Sequence, residues 1–442
     1  MKKVSLASLG CSKNLIDSEQ MLGLLTAAGY EIIENEEDAD ILIVNTCTFI
    51  ESAKMESIEC ILELAQYKKV GRCQWLIVTG CMAQRYQEQV LREIPEVDAV
   101  IGTNDYDKIV TVIQELEKKE KVELCTEEPL LCESVRVRTT PEYTAYLKIA
   151  EGCDNHCTYC VIPSIRGKYR SREMEDILKE AGKMAQEGVK ELIVIAQDTT
   201  RYGKDLYGEY RLADLLRELC RIEGIAWVRV HYCYPELMTD DLIQVFREEE
   251  KLCHYFDIPI QHCNDRILKR MGRRTSKKQI VDLITNIRTQ IPDAVIRTSL
   301  ICGFPGETEE EFLELKEFIA EMKFERLGVF AYSREEDTPA YDLDGQIEEE
   351  EKQRRQEVLM LVQSEISQAQ NESRIGDTVR VLVEDRDEII KSYYGRTYAD
   401  SIEIDGKVFF KSKKALKGGA FADVRIEQAL EYDLFGTDAA DL

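Results

Sequence analysis

No apolar run in this sequence approaches the roughly 20 residues that a membrane helix needs, so no segment is a candidate span. Net positive charge is missing as well. The 58 Lys and Arg stand against 84 Asp and Glu, a formal charge of −26, which argues against a sequence-independent grip on nucleic-acid phosphates. A local basic patch remains a route to a partner. Internal repeats and low-complexity tracts are absent. An export leader is not found: Met1-Lys2-Lys3 precedes only the six residues 4–9, two of them serine, and a signal core needs at least about 7 apolar residues. That stretch reads as a first β-strand, so the chain is expected in the cytoplasm, where thiols stay free or metal-bound.

Cysteine is plentiful instead. There are 15, an odd number that cannot pair fully within one molecule. Most read as small core residues. The length of 442 residues predicts roughly three domains.

Residues 4–120 alternate regularly. Apolar runs at 4–9, 41–44, 76–78 and 99–101 read as strands, and 18–28, 52–67, 85–93 and 106–117 as helices, which predicts an α/β domain with an open parallel sheet. Cys11, Cys47 and Cys81 fall just beyond strand ends, in Leu9-Gly10-Cys11, Asn45-Thr46-Cys47 and Thr79-Gly80-Cys81. The carboxyl ends of such strands form the binding crevice, so thiols from three strands can converge there. Cys60 and Cys73 lack this placement and read as structural.

A charged, turn-rich break covers 118–141. Six further strands (145–150, 192–196, 227–231, 255–258, 295–301 and 326–331) alternate with helices at 174–187, 213–222, 240–249, 277–289 and 308–322. Six such units predict a partial (β/α) barrel resembling a TIM barrel, with its chemistry at the C-terminal strand ends. The charged stretch 335–357, with its run Glu348-Glu349-Glu350-Glu351, reads as a solvated helical face, continued by Val358, Leu361, Val362, Ile366 and Ala369 at helical spacing. Short strands at 379–383, 392–398, 408–410 and 422–426, with Asp405-Gly406 as a hairpin turn, predict a small five-strand antiparallel β-barrel.

The sharpest motif is Cys153-Asp154-Asn155-His156-Cys157-Thr158-Tyr159-Cys160, just beyond the first barrel strand. Three thiolates on one loop can hold three irons of a 4Fe–4S cluster and leave the fourth open to a small chelator. Structural zinc is the competing reading, but it wants four ligands in a closed shell; accidental cysteines are the third.

This triad resembles the signature of the radical S-adenosylmethionine (SAM) superfamily. The resemblance implies that the open iron chelates SAM, whose cleavage yields a radical able to take hydrogen from an unactivated carbon. It also implies that Tyr159 packs near the adenine, with plain core packing as the alternative. The three N-terminal motifs, Leu9-Gly10-Cys11-Ser12-Lys13-Asn14 among them, extend the likeness to the methylthiotransferases. In that family Cys11, Cys47 and Cys81 hold a second 4Fe–4S cluster, and the chain divides into a cluster domain (1–125), a radical SAM core with a linker helix (139–372) and a small barrel called TRAM (375–442). Thr48 stands where that family often has glycine.

Other positions are less specific. Gln197-Asp198 and Gly303 end barrel strands, either as cofactor-binding residues or only as turns; Gly303-Phe304-Pro305-Gly306 would let backbone approach a ligand. Gln261 and His262 also end a strand, where a lone histidine reads as structural before it reads as an acid or base. Arg166, Lys168, Arg170 and Arg172 form a basic stretch that either meets a carboxylate or phosphate ligand or pairs with nearby acids. No catalytic residue is identified.

Within the family, His231-Tyr232-Cys233-Tyr234-Pro235, the stretch from Tyr332 through Ser333-Arg334-Glu335-Glu336 to Pro339, and Gly395-Arg396-Thr397-Tyr398-Ala399-Asp400 resemble the branch that modifies an aspartate of a small-subunit ribosomal protein. Residues 375–442 carry 14 acidic and 10 basic residues, net −4. An RNA-binding module is expected to be basic, so a basic ribosomal protein fits better than transfer RNA, although Lys411, Lys413, Lys414 and Lys417 form a positive patch. Tyr393, Tyr394, Tyr398, Phe409 and Phe410 read as barrel core, with base stacking as the alternative.

The expected activity is methylthiolation of the β-carbon of that aspartate. Methylthiolation of a transfer-RNA adenosine is the alternative, and an iron–sulfur scaffold or carrier the non-enzymatic one. The expected partners are the ribosomal protein and an electron donor, without membrane or stable transfer-RNA binding, and the chain is expected to be a monomer.

Overall fold

The computed structural model describes residues 1–118, 121–126 and 135–441. Cys132 and parts of the charged break lie outside the described residues. The chain forms two compact units. One comprises Met1–Thr139, Ala150–Arg172 and Ser333–Asp342, the other Thr140–Ile149, Glu173–Tyr332 and Leu343–Leu442.

The first unit holds the predicted parallel sheet. Its strands are β1 (Lys3–Ser8), β2 (Glu31–Ile32), β3 (Ile41–Thr46), β4 (Trp75–Gly80), β5 (Ala99–Ile101) and β6 (Val122–Leu124), in the order β2-β1-β3-β4-β5-β6. Strand β3 shows why the apolar run is unbroken. Ile41 and Ile43 pack with Met21, Leu25 and Ile113, while Leu42 and Val44 pack on the opposite side with Ile61 and Leu64. A strand buried on both faces needs no polar alternation. The chain departs to opposite sides of β1, making the β1/β3 edge the topological switch point where α/β sheets bind ligands.

Two helices differ from expectation. The first spans Ser12–Ala27 and starts directly after Cys11, well ahead of residue 18. Its polar residues Lys13, Asn14 and Asp17, ahead of the expected start, are buried, which hides the apolar periodicity there. The predicted helix at 85–93 is two, Cys81–Tyr86 and Glu88–Glu93, separated by Gln87 at φ +43°. The loop with the second cysteine triad is closed by an antiparallel pairing of Ala150 with Ser171 and Glu151 with Arg170.

In the second unit, β7 (Thr144–Lys148), β8 (Glu191–Ile195), β9 (Trp227–Val230), β10 (Leu252–Asp257), β11 (Val295–Cys302) and β12 (Arg326–Ala331) pair in parallel and in chain order, forming an open sheet. Helices Met174–Gln186, Leu212–Arg221, Asp240–Glu248, Lys277–Gln290 and Glu309–Met322 return the chain between them. This is the singly wound pattern of a partial β/α barrel. Helix Glu349–Ser373 follows, with Glu349, Glu350 and Glu351 in its first turn, where the helix dipole favours negative charge.

The closing element is a closed barrel of β13 (Thr378–Asp387), β14 (Ser392–Arg396), β15 (Val408–Lys411), β16 (Phe421–Ala429) and β17 (Leu434–Asp438). The expected Asp405-Gly406 hairpin turn is absent: β14 and β15 pair antiparallel, but residues 397–407 separate them. Asp405 is instead an anchor, accepting from Tyr255 Oη (2.7 Å) and the Ser401 amide (2.8 Å). Tyr393 and Phe410 are core, as expected, whereas Tyr394 and Phe409 are half-buried and Phe409 stacks on Phe435 at 5.4 Å. The barrel packs at the N-terminal ends of the parallel strands, with Trp227 edge-on to Phe421 at 5.0 Å and Leu382 and Ala399 against Tyr255 and Val295. The C-terminal strand ends are the opposite end. Among the described residues no helix is long and apolar enough to cross a membrane.

Candidate functional site

The strand ends of the first unit are laced together before any cysteine is considered. Asn14 Nδ2 donates to the carbonyls of Thr46 (2.7 Å) and Leu9 (3.1 Å), Asn45 Nδ2 to the Asn14 carbonyl (2.7 Å), and Thr46 Oγ1 to the Thr79 carbonyl (2.6 Å). These bonds tie the ends of β1, β3 and β4 into one rim. Each end leads to a cysteine. Cys11 caps the first helix, Cys47 follows β3, and Cys81 opens the helix after β4. Ser57 Oγ accepts from the Cys47 amide (3.0 Å) and donates to its carbonyl (2.9 Å), fixing that loop on both sides.

The structure brings these three thiols together. Burial raises the Cys47 thiol and the nearby Cys11 sulfur raises it further. Burial pushes Cys81 up to about 12; the Arg166 guanidinium opposes this, while Cys11 and Cys47 add to it. The backbone is built for close approach: Gly10 has φ +84°, and a Cβ there would come within 2.6 Å of the Cys47 Cβ and 2.8 Å of its sulfur. Any side chain would push the two ligand loops apart.

The second triad lies in the same unit. Gly152, at φ +82°, leaves room for the Lys168 carbonyl, which a Cβ would meet at 2.2 Å, and the Cys153 amide donates to the Gly167 carbonyl (3.1 Å). Within the loop Asn155 Nδ2 and the Ile162 amide both donate to sulfur, of Cys153 and Cys160 respectively, at 3.5 Å. Burial raises the Cys160 thiol, and Cys157 and Cys153 add to the rise. The loop continues through Val161 into a short helix, Ile162–Arg166, and Val161 and Ile165 flank Cys81 in a buried apolar cluster.

Arg166 occupies the space between the two triads' supporting elements. Its Nη1 donates to Asp17 Oδ2 (2.8 Å) and Glu151 Oε2 (3.2 Å), and its Nη2 to Asn14 Oδ1 (2.5 Å), with Cys81 Sγ at 3.9 Å. Of the two readings of the basic stretch, Arg166 therefore takes the carboxylate-pairing one, inside the protein. Asn14, Asp17 and Glu151 are site residues that the sequence did not reveal. Arg85, shortly after Cys81, donates to the Thr48 carbonyl (3.3 Å), Glu335 Oε2 (3.2 Å) and the Glu336 carbonyl (2.6 Å), fastening the Ser333–Asp342 segment there.

The donor set fits iron–sulfur clusters. Ser12 Oγ and Thr48 Oγ1, directly after Cys11 and Cys47, are buried without a hydrogen-bond partner in the chain, as donors facing a cluster's sulfides would be.

Tyr159 is half-buried on the triad loop. The other expected cofactor-binding residues belong to the second unit. Gln197 is half-buried and Asp198 buried after β8, Asp198 accepting from Thr200 Oγ1 at 2.7 Å. Gly303 follows β11 at φ +70°, with Lys352 over its α-carbon and Glu307 accepting from its amide. His262 is fully buried; its Nδ1 accepts from the Asn264 amide (2.9 Å), and burial lowers its pKa to about 4, so the ring is neutral near pH 7. That matches the structural reading.

Family profiles match the chain in three places: an uncharacterized protein family, UPF0004, at residues 3–102, the radical SAM superfamily at 147–319, and the TRAM domain at 375–438. The chain is 54% identical over 438 residues to the ribosomal protein uS12 methylthiotransferase RimO of Clostridioides difficile strain 630, covering 99% of this chain and 98% of the relative. It is 54% identical to that of Lachnoclostridium phytofermentans (98% and 99% covered) and 52% to that of Thermoanaerobacter sp. strain X514 (99% and 100% covered). In fold it is similar to the radical SAM methyltransferase TsrM of Kitasatospora setae, solved with cobalamin and a 4Fe–4S cluster, at TM-score 0.56 and 14% identity over 85% of this chain and 79% of that one. The superfamily implies S-adenosylmethionine and a 4Fe–4S cluster. With relatives above half identity along essentially its whole length, the chain belongs to the ribosomal protein uS12 methylthiotransferase family.

Proposed function

We propose that this chain methylthiolates ribosomal protein uS12 by radical SAM chemistry, at the β-carbon of an aspartate. In this reading Cys153, Cys157 and Cys160 ligate one 4Fe–4S cluster, Cys11, Cys47 and Cys81 ligate a second, and Tyr159, Gln197, Asp198 and Gly303 serve SAM. The division into 1–125, 139–372 and 375–442 belongs to the same reading. The observation that carries it is the meeting of Cys11, Cys47 and Cys81 at the switch point of the first sheet, beside the helix that continues the Cys153–Cys160 loop.

When bound, the clusters and SAM supply an electron, a carbon-centred radical and a place to present sulfur. The chain's own groups do the rest. The Ile162 amide and Asn155 Nδ2 donate to the ligand sulfurs of Cys160 and Cys153, Gly10 and Gly152 permit the close backbone approach, and the rim of Asn14, Asn45 and Thr46 fixes three ligand loops to one sheet. The mildly acidic C-terminal barrel suits a basic protein better than RNA.

The test is anaerobic reconstitution with iron, sulfide, SAM and reductant, offering uS12 and transfer RNA separately and weighing the products. A methylthio addition on the uS12 aspartate is expected. Modification of transfer RNA alone would sink the substrate assignment, and no SAM cleavage at all would favour a scaffold.

A further inference from the structure

We infer that Arg166 is a positioning residue for the N-terminal site: its fixed positive charge, 3.9 Å from Cys81 Sγ, steadies that ligand's negative charge and raises the reduction potential of a cluster held there. The inference rests on the two-cluster reading above and deepens it.

Arg166 is 2% exposed, so water screens its charge little. Guanidinium does not lose its proton in proteins, so the charge is permanent. It is also immobile. Asp17 and Glu151 grip one terminal nitrogen and Asn14 the other, and Asn14 is itself bonded to the strand ends that carry Cys11 and Cys47. From the other side, Thr103 Oγ1 donates to the Ile165 carbonyl (2.9 Å), and Ile165 packs on Cys81.

A structural ion pair would need none of the sulfur contact. Asp17, Glu151 and Asn14 suffice to pair and hold the guanidinium, so the approach of its Nη2 to sulfur is a contact beyond that pairing. The neighbour that benefits is Cys81, whose sulfur becomes a permanent anion on ligating iron. Charge and hydrogen bonding at the sulfurs set cluster potentials. One-electron reduction, in which an electron passes from a chemical reductant such as dithionite to the cluster and no bond forms or breaks, adds negative charge that Arg166 stabilises and that Asp17 and Glu151 oppose. One short helix therefore continues the ligand loop of one triad and delivers a tuning charge to the other.

The test uses the full-length chain with Cys153, Cys157 and Cys160 changed to Ala, so that only the N-terminal site holds iron, and follows reduction by EPR-monitored potentiometry. Arg166→Gln is expected to move the midpoint to more negative potential, Arg166→Lys to restore most of it, and Asp17→Asn to move it to more positive potential. Midpoints unmoved in both Arg166→Gln and Asp17→Asn overturn the inference. If Arg166→Gln retains no iron, Asp17→Asn decides: a positive shift supports the role, and no shift overturns it. A triple-cysteine parent without iron overturns both the inference and the two-cluster reading, which a bound but untuned cluster would not.

Discussion

Two buried arginine clusters, one in each unit, look alike in burial and differ in what they touch. In the second unit Glu191 binds Arg229 (2.9 Å) and Arg396 (2.6 Å); Arg396 also reaches Glu384 (2.5 Å) and the Asp400 carbonyl (3.0 Å), and Arg229 the Tyr398 carbonyl (2.7 Å). The hydrogen-bond partners there are carboxylates, carbonyls and a hydroxyl, and the cluster joins the parallel strands to the small barrel; Arg229 also lies over the Tyr255 ring at 4.6 Å and beside Cys253, a buried thiol outside both triads. In the first unit Arg166 has two carboxylates, one amide and, beyond them, a thiol. A buried arginine is thus no sign of function by itself. A partner whose charge changes when a ligand binds is.

The comparison can be broken most sharply by changing Cys11, Cys47 and Cys81 together to Ala. About half of the iron should vanish on reconstitution while the other half remains, and urea unfolding of the second unit should not move. Loss of all iron would mean the two triads are not separate sites. Next, Glu191→Gln leaves Arg229 and Arg396 without their shared carboxylate, and should cost about 3–5 kcal/mol in denaturant unfolding with iron content intact. A fall in iron instead would erase the distinction between the clusters. Gly10→Ala should cost about 1–3 kcal/mol through its positive φ and contact with Cys47, read as weaker iron binding at the N-terminal site only.

Acid supplies two gentler probes, both in the second unit. Glu191 is buried, yet Arg396 and Arg229 hold its pKa at about 2 against an ordinary 4.5. The unfolded chain binds the extra proton between those values, so this stabilisation is complete above pH 4.5 and fades as pH falls towards 2. His262, held neutral at about 4 against 6.5, acts in the same sense: its contribution is full above pH 6.5 and declines as pH falls to 4. His262→Gln should flatten the upper part of the unfolding-versus-pH curve, and a curve unchanged between pH 6.5 and 4 would contradict the burial of a neutral ring.

The placement of the six candidate cysteines was legible because it is local: a C-x3-C-x2-C loop is visible within eight residues, and Cys11, Cys47 and Cys81 each fall just beyond an apolar run that forms a strand. Arg166 stood out as a cation in an acidic chain, but its partners did not. Asn14 and Asp17 lie more than 140 positions away along the chain, and no periodicity links them. The start of the first helix was hidden in the same way, since the polar residues 12–14 and Asp17 break the apolar pattern ahead of residue 18 until Arg166 is placed against Asn14 and Asp17. Asp405-Gly406 misled in the opposite way. The pair is a good turn former, but here Tyr255 and Ser401 claim the carboxylate, and tertiary contact overrides local preference.

The C-terminal barrel has one more consequence. Trp227, Tyr255 and Val295 are covered by Phe421, Leu382 and Ala399 rather than by solvent. The small barrel is, in this chain, the foundation on which the parallel strands stand. A version ending before residue 375 would not be a smaller enzyme; it would be an uncapped sheet with an adhesive floor, prone to self-association.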